Sequence, residues 1–294
     1  VGGAVGTSAV EHPAVRDPAA RLGARVVPVD GAGRVDLDAL ADRLDGDVGL
    51  VSVMLVNNEV GTIQPLTEVV EVVRRHAPGA LVHTDAVQAL PWVDVAEAAA
   101  GADLLSISAH KFGGPKGVGA LAVRPSARLA ARQIGGGQER ERRSGTQNVA
   151  GVAAMAVAAM ATVAERAEAR ARIAALRDRL ADGLLAAVPG VVETGIVGGD
   201  RSGRAAGICH LCIEGVEAEA LLFLLDDAGV SASAASSCAS GAAESSHVLA
   251  AMDVPAGAAG GSLRLSLGWC STDADVDRAL EVVPAAVNRL REAR

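Results

Sequence analysis

Apolar residues in the first half of the chain fall in short continuous runs, separated by stretches with helical spacing. The run VGLVSVMLV (48–56) is nearly unbroken, as a strand covered on both faces requires. ARVVPVD (24–30), ALVHTDA (80–86) and DLLSISA (103–109) read as further strands, and VGGAVGTSA as a strand leading to His12. DLDALADRL (36–44) and PLTEVVEVVRRHA (65–77) read as helices, the second with proline at its start, an acid early and bases late. This β–α alternation predicts an α/β fold with a mostly parallel sheet. The pattern changes after the glycine-rich, charged loop GGGQERERRSGTQN (135–148). A long Ala/Arg/Glu-rich helical stretch with a possible break follows over 149–187. Then come a strand near 206–214, a helix near 217–228, a Ser/Ala/Gly loop (231–246), an alternating strand GSLRLSLG (261–268) and a last helix. The expected organisation is a large domain over 1–150 and a smaller α+β domain over 151–294.

Composition narrows the picture. A chain of 294 residues with two Trp, two Phe and no Tyr must build an aliphatic core. A formal net charge of −8 argues against direct nucleic-acid binding, which needs a concentrated basic surface. No basic-then-apolar leader opens the chain. The longest uncharged apolar stretch, 149–164, is shorter than the ~18–20 residues of a membrane span and rich in alanine. The expectation is a buried helix in a cytoplasmic protein without a membrane partner. Cys209 and Cys212 form a CxxC inside an alternating strand, and no second CxxC completes a zinc site. They read as packed strand residues, and Cys270 beside Trp269 as packing too.

In parallel α/β sheets, ligands bind beyond the carboxyl ends of the strands. Those positions here hold Asn57, Asn58 and Glu59, then Asp85 and Gln88, then Ser108, His110 and Lys111. A lysine one strand away from an aspartate suits pyridoxal 5'-phosphate chemistry. The lysine amine links to the cofactor aldehyde and later acts as a base; the aspartate keeps the pyridine nitrogen protonated. By themselves the two residues fit a solvated turn equally well, and Lys116 reads as a surface charge. Gly113, Gly114 and Gly117 let backbone approach a phosphate closely.

The segments SAVEHPAV, VNNEVGTIQP, HTDAVQA, SISAHKFGGPKGVGAL, GGGQERERRSGTQN, SSCASG and LRLSLG, in this order, resemble the cysteine desulfurases. These are pyridoxal-phosphate enzymes of the class V aminotransferase group, and the likeness is to the branch that supplies sulfur for iron–sulfur clusters. The resemblance implies an aspartate-aminotransferase-like fold (fold type I). It also implies roles: Lys111 as the cofactor-linked lysine, Asp85 at the pyridine nitrogen, and His12 stacked on the ring and shuttling protons. Asn58 and Gln88 would contact the cofactor, and Asn58 the substrate as well. Ser108 and His110 would bind the phosphate, and Thr146 the phosphate of a second subunit in a homodimer. Arg264 would grip the substrate carboxylate. Cys238, in a loop poor in packing residues, would attack the sulfur of L-cysteine as its thiolate. It would become a persulfide, release alanine and pass the sulfur to an acceptor, a cluster scaffold or a tRNA-thiolation protein. An earlier strand and a phosphate-binding helix start of the family have no counterpart before His12, so the chain is expected to lack the family's amino-terminal segment. Two other readings remain: another class V enzyme (a selenocysteine lyase or an aminotransferase), and a truncated, non-catalytic homologue.

Overall fold

The computed structural model describes residues 2–196, 198–234 and 246–293. They fall into two compact units. The first comprises Val1–Val27, Asp36–Leu55 and Pro65–Arg166; the second comprises Pro28–Val35, Val56–Gln64 and Ala167–Arg294.

Six strands form the sheet of the first unit: β1 (Ala4–Ser8), β2 (Arg25–Val27), β3 (Val48–Ser52), β4 (Leu81–Asp85), β5 (Leu104–Ser108) and β6 (Gly119–Val123). Their order is β2-β1-β3-β4-β5-β6. All neighbours run parallel except β5 and β6, which are antiparallel. Residues 51–57 are buried without interruption, which explains the unbroken apolar run. Helices α1 (Pro13–Arg21), α2 (Leu37–Asp42), α3 (Leu66–His76) and α4 (Val95–Ala98) belong to this unit. α3 buries Leu66, Val69 and Val73, one stripe at helical spacing. Its last turn carries Arg74, which pairs with Asp103 at 2.6 Å; Asp103 also accepts the Val82 N–H at 2.8 Å.

α1 has no counterpart among the expected helices. PAVRDPAAR holds two prolines and few large apolar residues, so its period is weak. It forms because Pro13 opens it and His12 caps it, Nδ1 accepting the Ala14 N–H at 3.1 Å. A short hairpin of β7 (Gly137–Gln138) and β8 (Arg143–Ser144) precedes α5 (Val149–Ala187). α5 runs unbroken for 39 residues, and its length and composition alone meet those of a membrane-crossing helix. The expected burial of 149–164 does not hold. Of this stretch only Gly151 is buried, and Val149, Val152, Val157, Met160 and Val163 are exposed.

The second unit is built on β9 (Val191–Glu193), β10 (Ile208–Ile213) and β11 (Ser262–Ser266), antiparallel in the order β11-β10-β9. β10 is buried at every position. Helices α6 (Ala218–Asp227), α7 (His247–Ala251), α8 (Ala256–Ala259) and α9 (Asp273–Glu292) accompany it. α9 buries Val276, Ala279, Val283 and Val287 and starts with a capping box between Thr272 and Asp275. Gly261 has to be glycine, since a Cβ there would lie 1.9 Å from the Ile213 carbonyl oxygen. Cys209 and Cys212 are buried on β10, and burial pushes their thiols up to about 12 and about 11. Both are therefore inert thiols. Cys270, expected to pack, is exposed, because the chain leaves β11 into a surface turn held by Arg172 bonds to the Trp269 and Ser271 carbonyls.

Candidate functional site

The polar residues expected at the strand ends of the first unit stand there. Asp85 closes β4 and Ser108 closes β5, and β4 and β5 are adjacent, with Asp85 in register with Ser106. Asp85 Oδ1 accepts the Val87 N–H at 2.9 Å, which fixes the carboxylate. Ser108 Oγ and His110 Nδ1 are 2.8 Å apart. A single 3₁₀ turn, Ala109–Lys111, follows β5 and ends on exposed Lys111. The turn is closed by Phe112 and Gly114 N–H groups on the Ala109 carbonyl (3.1 and 2.9 Å). Gly114 approaches so closely that a Cβ would meet that of Ala109 at 2.8 Å. Thr146 is exposed after β8, and its carbonyl accepts from Arg143 Nη1 at 3.2 Å. Gln88 is half-buried in the turn after β4. The cap on α1 makes His12 Nδ1 an acceptor, so a neutral ring carries its proton on Nε2.

Two further residues of this unit had drawn no notice in the sequence. Glu11, beside His12, is fully buried. Its Oε1 accepts the Ser8 hydroxyl at 2.6 Å and the Met54 N–H at 2.7 Å, tying the ends of β1 and β3 together. Burial, with Asp85 adding to it, raises the Glu11 pKa from 4.5 to about 8. Glu11 is therefore a neutral acid near pH 7. On β4, His83 spans three strands, with Ser52 Oγ 2.8 Å from Nδ1 and Ser106 Oγ 2.9 Å from Nε2. Burial lowers its pKa against the pull of Asp85. Its position two residues before Asp85, on the same strand face, was the available signal.

The Glu11 shift has a measurable consequence. The unfolded chain loses this proton above pH 4.5 while the folded chain keeps it until about pH 8, so stability falls as pH rises through that window. Glu11→Gln keeps the acceptor and removes the titration. Its stability relative to wild type should grow by up to ~1.4 kcal/mol per pH unit between those limits. Urea unfolding of both proteins at pH 5 and pH 8 checks this; parallel curves would show that Glu11 titrates normally.

In the second unit, Arg264 sits mid-strand in β11 and donates from Nη1 to the Asn58 carbonyl at 2.8 Å. Asn58 thus contributes backbone, not an observed side-chain bond, to this cluster. Buried Asn57 shapes the turn, its Oδ1 accepting the Glu59 and Val60 N–H groups at 2.9 and 3.0 Å. Ser233 and Arg264 exchange backbone bonds of 3.1 and 2.7 Å. Ser246 caps α7 and donates its hydroxyl to Glu59. Cys238 lies outside the described residues, in the segment between these two anchored serines.

The first-unit residues suit pyridoxal phosphate: a fixed carboxylate for a ring N–H, a hydroxyl and an imidazole for a phosphate, and a lysine for an aldehyde. Comparison with known proteins agrees. The family model for aminotransferase class-V matches residues 2–279. An "IscS-like cysteine desulfurase" of Mycobacterium tuberculosis is 46% identical over 98% of this chain and 74% of its own length. A "cysteine desulfurase" of Sinorhizobium fredii is 44% identical with the same coverage. A solved "NifS-like protein" superposes with a TM-score of 0.88 at 33% identity, over 98% of this chain and 76% of that one. The chain therefore belongs to the pyridoxal-phosphate-dependent class V aminotransferase family, among its cysteine desulfurases.

Proposed function

We propose that this protein removes sulfur from L-cysteine, releasing L-alanine and leaving a persulfide on Cys238. The observation that carries the reading is the placement of Asp85, Ser108, His110 and Lys111 at the carboxyl ends of two adjacent parallel strands. Pyridoxal phosphate, when bound, supplies an electron sink that makes the substrate Cα–H acidic and weakens its Cβ–S bond. Lys111 Nζ would hold the cofactor and, when not holding it, would take the substrate α-proton. Asp85 keeps the ring nitrogen protonated. His12 would stack on the ring with a proton on Nε2 to give, and Gln88 would add a contact to the cofactor. Ser108 and His110 bind the phosphate. Arg264 pairs with the substrate carboxylate, a task its planar fork suits, and Asn58 borders the substrate. Cys238 Sγ, as thiolate, attacks the substrate sulfur.

Working as a homodimer follows from the same reading. Val149, Val152, Met160 and Val163 form one exposed stripe on α5, which a second copy would cover, and exposed Thr146 would then reach the other copy's cofactor phosphate. The persulfide passes to an acceptor protein in iron–sulfur cluster assembly or tRNA thiolation, in the cytoplasm.

The test is Cys238→Ser, with added pyridoxal phosphate and L-cysteine. Cofactor uptake should be unchanged, while protein-bound persulfide disappears and sulfur release falls at least ~100-fold, the scale of a lost nucleophile. Full sulfur release by the variant would point instead to a lyase or transaminase that needs no thiol there.

A further inference from the structure

Arg264 and His210 occupy directly opposed positions on β11 and β10. Arg264 turns its backbone N–H and C=O toward Ser233, and the His210 carbonyl faces the Thr194 N–H on its other side. The two therefore form a non-hydrogen-bonded antiparallel pair, the closer kind, with side chains on one face of the sheet. Both carry a buried polar atom with no protein partner: Nε2 of His210 and Nε of Arg264. His210 has no exposed surface. A buried group left without a partner costs about 1–3 kcal/mol, so two on adjacent residues call for an explanation.

Chemistry restricts the answer. Arginine Nε can only donate, whereas an imidazole nitrogen accepts only when the proton sits on the other one. The other nitrogen, Nδ1, is hydrogen-bonded to Thr194 Oγ1. That hydroxyl lies 3.5 Å from the His210 carbonyl, so it can donate there while accepting from Nδ1–H. The ring is neutral, since burial, with Arg204 and Arg264 adding to it, lowers its pKa to about 3.

We propose that His210 is a positioning residue for Arg264: held as the Nδ1–H tautomer by Thr194, it accepts the Arg264 Nε–H on Nε2. A small rotation of the long arginine side chain completes the bond. With Nη1 on the Asn58 carbonyl and Nε on His210, the guanidinium is fixed on two sides and presents Nη2 to a carboxylate. This rests on the reading of Arg264 as the clamp for the substrate carboxylate.

Two measurements test it. In holoenzyme labelled with ¹⁵N-histidine, the His210 resonances should show Nδ1 protonated and Nε2 as acceptor, with the Nε2 signal shifting in Arg264→Met. An Nε2–H tautomer, or a signal indifferent to Arg264→Met, overturns the proposal without any reference to activity. In kinetics, His210→Leu should raise KM for L-cysteine about tenfold with kcat little changed, the scale of one charge-assisted hydrogen bond. His210→Gln, which offers a carbonyl oxygen near the Nε2 position, should recover most of it. The His210→Leu effect should vanish in an Arg264→Met background; a persisting effect counts against the pairing. Should Arg264→Met itself leave KM unchanged, the clamp reading fails, while the resonances still decide the pairing.

Discussion

Lys111→Ala should abolish the visible absorption of bound pyridoxal phosphate and lower sulfur release from L-cysteine by ~10³-fold or more. Two losses combine in this number. One is the covalent hold on the cofactor; the other is the base for the α-proton, a role worth about 10²–10⁴-fold by itself. The fold should not notice. Lys111 is exposed at the end of a single turn, and that turn is closed by backbone bonds and by the close packing of Gly114 on Ala109, none of which needs the lysine side chain. Thermal unfolding without cofactor should therefore remain a single cooperative transition. Lys116, five residues on and exposed in the same loop, is the control: Lys116→Ala should keep both the absorption band and the activity. A Lys111→Ala protein that retained the band would remove this lysine from the chemistry and return it to the surface turn.

Glu193→Ala should destabilise the protein by about 3–5 kcal/mol, the usual result of leaving a buried charge without its partner. Glu193 is 6% exposed. It accepts from Arg201 Nη2 and Nε at 2.6 and 2.9 Å and pairs with Arg204. Arg204 is 3% exposed and donates to the Val60 carbonyl from Nε and Nη2 at 3.0 and 2.7 Å. Burial lowers the Arg204 pKa while Glu193 supports its charge; Arg201, more open, is raised chiefly by its bonds to Glu193. Removing the carboxylate strands a guanidinium that cannot shed its proton at any ordinary pH. The loss should appear as a lower urea midpoint with an unchanged slope. It should also weaken the turn at 57–60, whose Asn58 carbonyl holds Arg264, so KM for L-cysteine should rise with it. A loss below about 1 kcal/mol would mean that water reaches and solvates these arginines.

The central strands were legible because their apolar runs record burial on both faces: 48–56, 80–86 and 103–109 match β3, β4 and β5. The strand-end residues followed from that topology, and the motifs from resemblance. α1 escaped because its helix depends on the His12 cap and Pro13 at its start rather than on an apolar stripe, and Pro18 inside it speaks against a helix. β6 escaped because it is exposed at four of its five positions and so carries no buried run, and β9 because three residues are too few to show alternation. α5 was found, but not its exposure, since an apolar composition does not say which residues meet a neighbour. Glu11, Glu193 and His210 were invisible for a common reason. Each takes its meaning from register or contact with a residue on another strand or turn, such as Met54, Arg204 or Arg264. Spacing along one segment does not encode that.

The composition of the second unit bears on how the chain is made. Its segments Pro28–Val35 and Val56–Gln64 are separated from Ala167–Arg294 by most of the first unit. On a ribosome they emerge roughly a hundred residues before the strands they will join, a long loop to close. Ile63, whose N–H donates to the Gly203 carbonyl at 2.9 Å, and Val60, held by Arg204, must wait for that late arrival. A gene fragment beginning at residue 167 would thus keep all three strands of the β11-β10-β9 sheet but lack two segments of its unit. Supplying 28–64 as a separate peptide should rescue its solubility only in part, because the tether that keeps those pieces at hand would be gone.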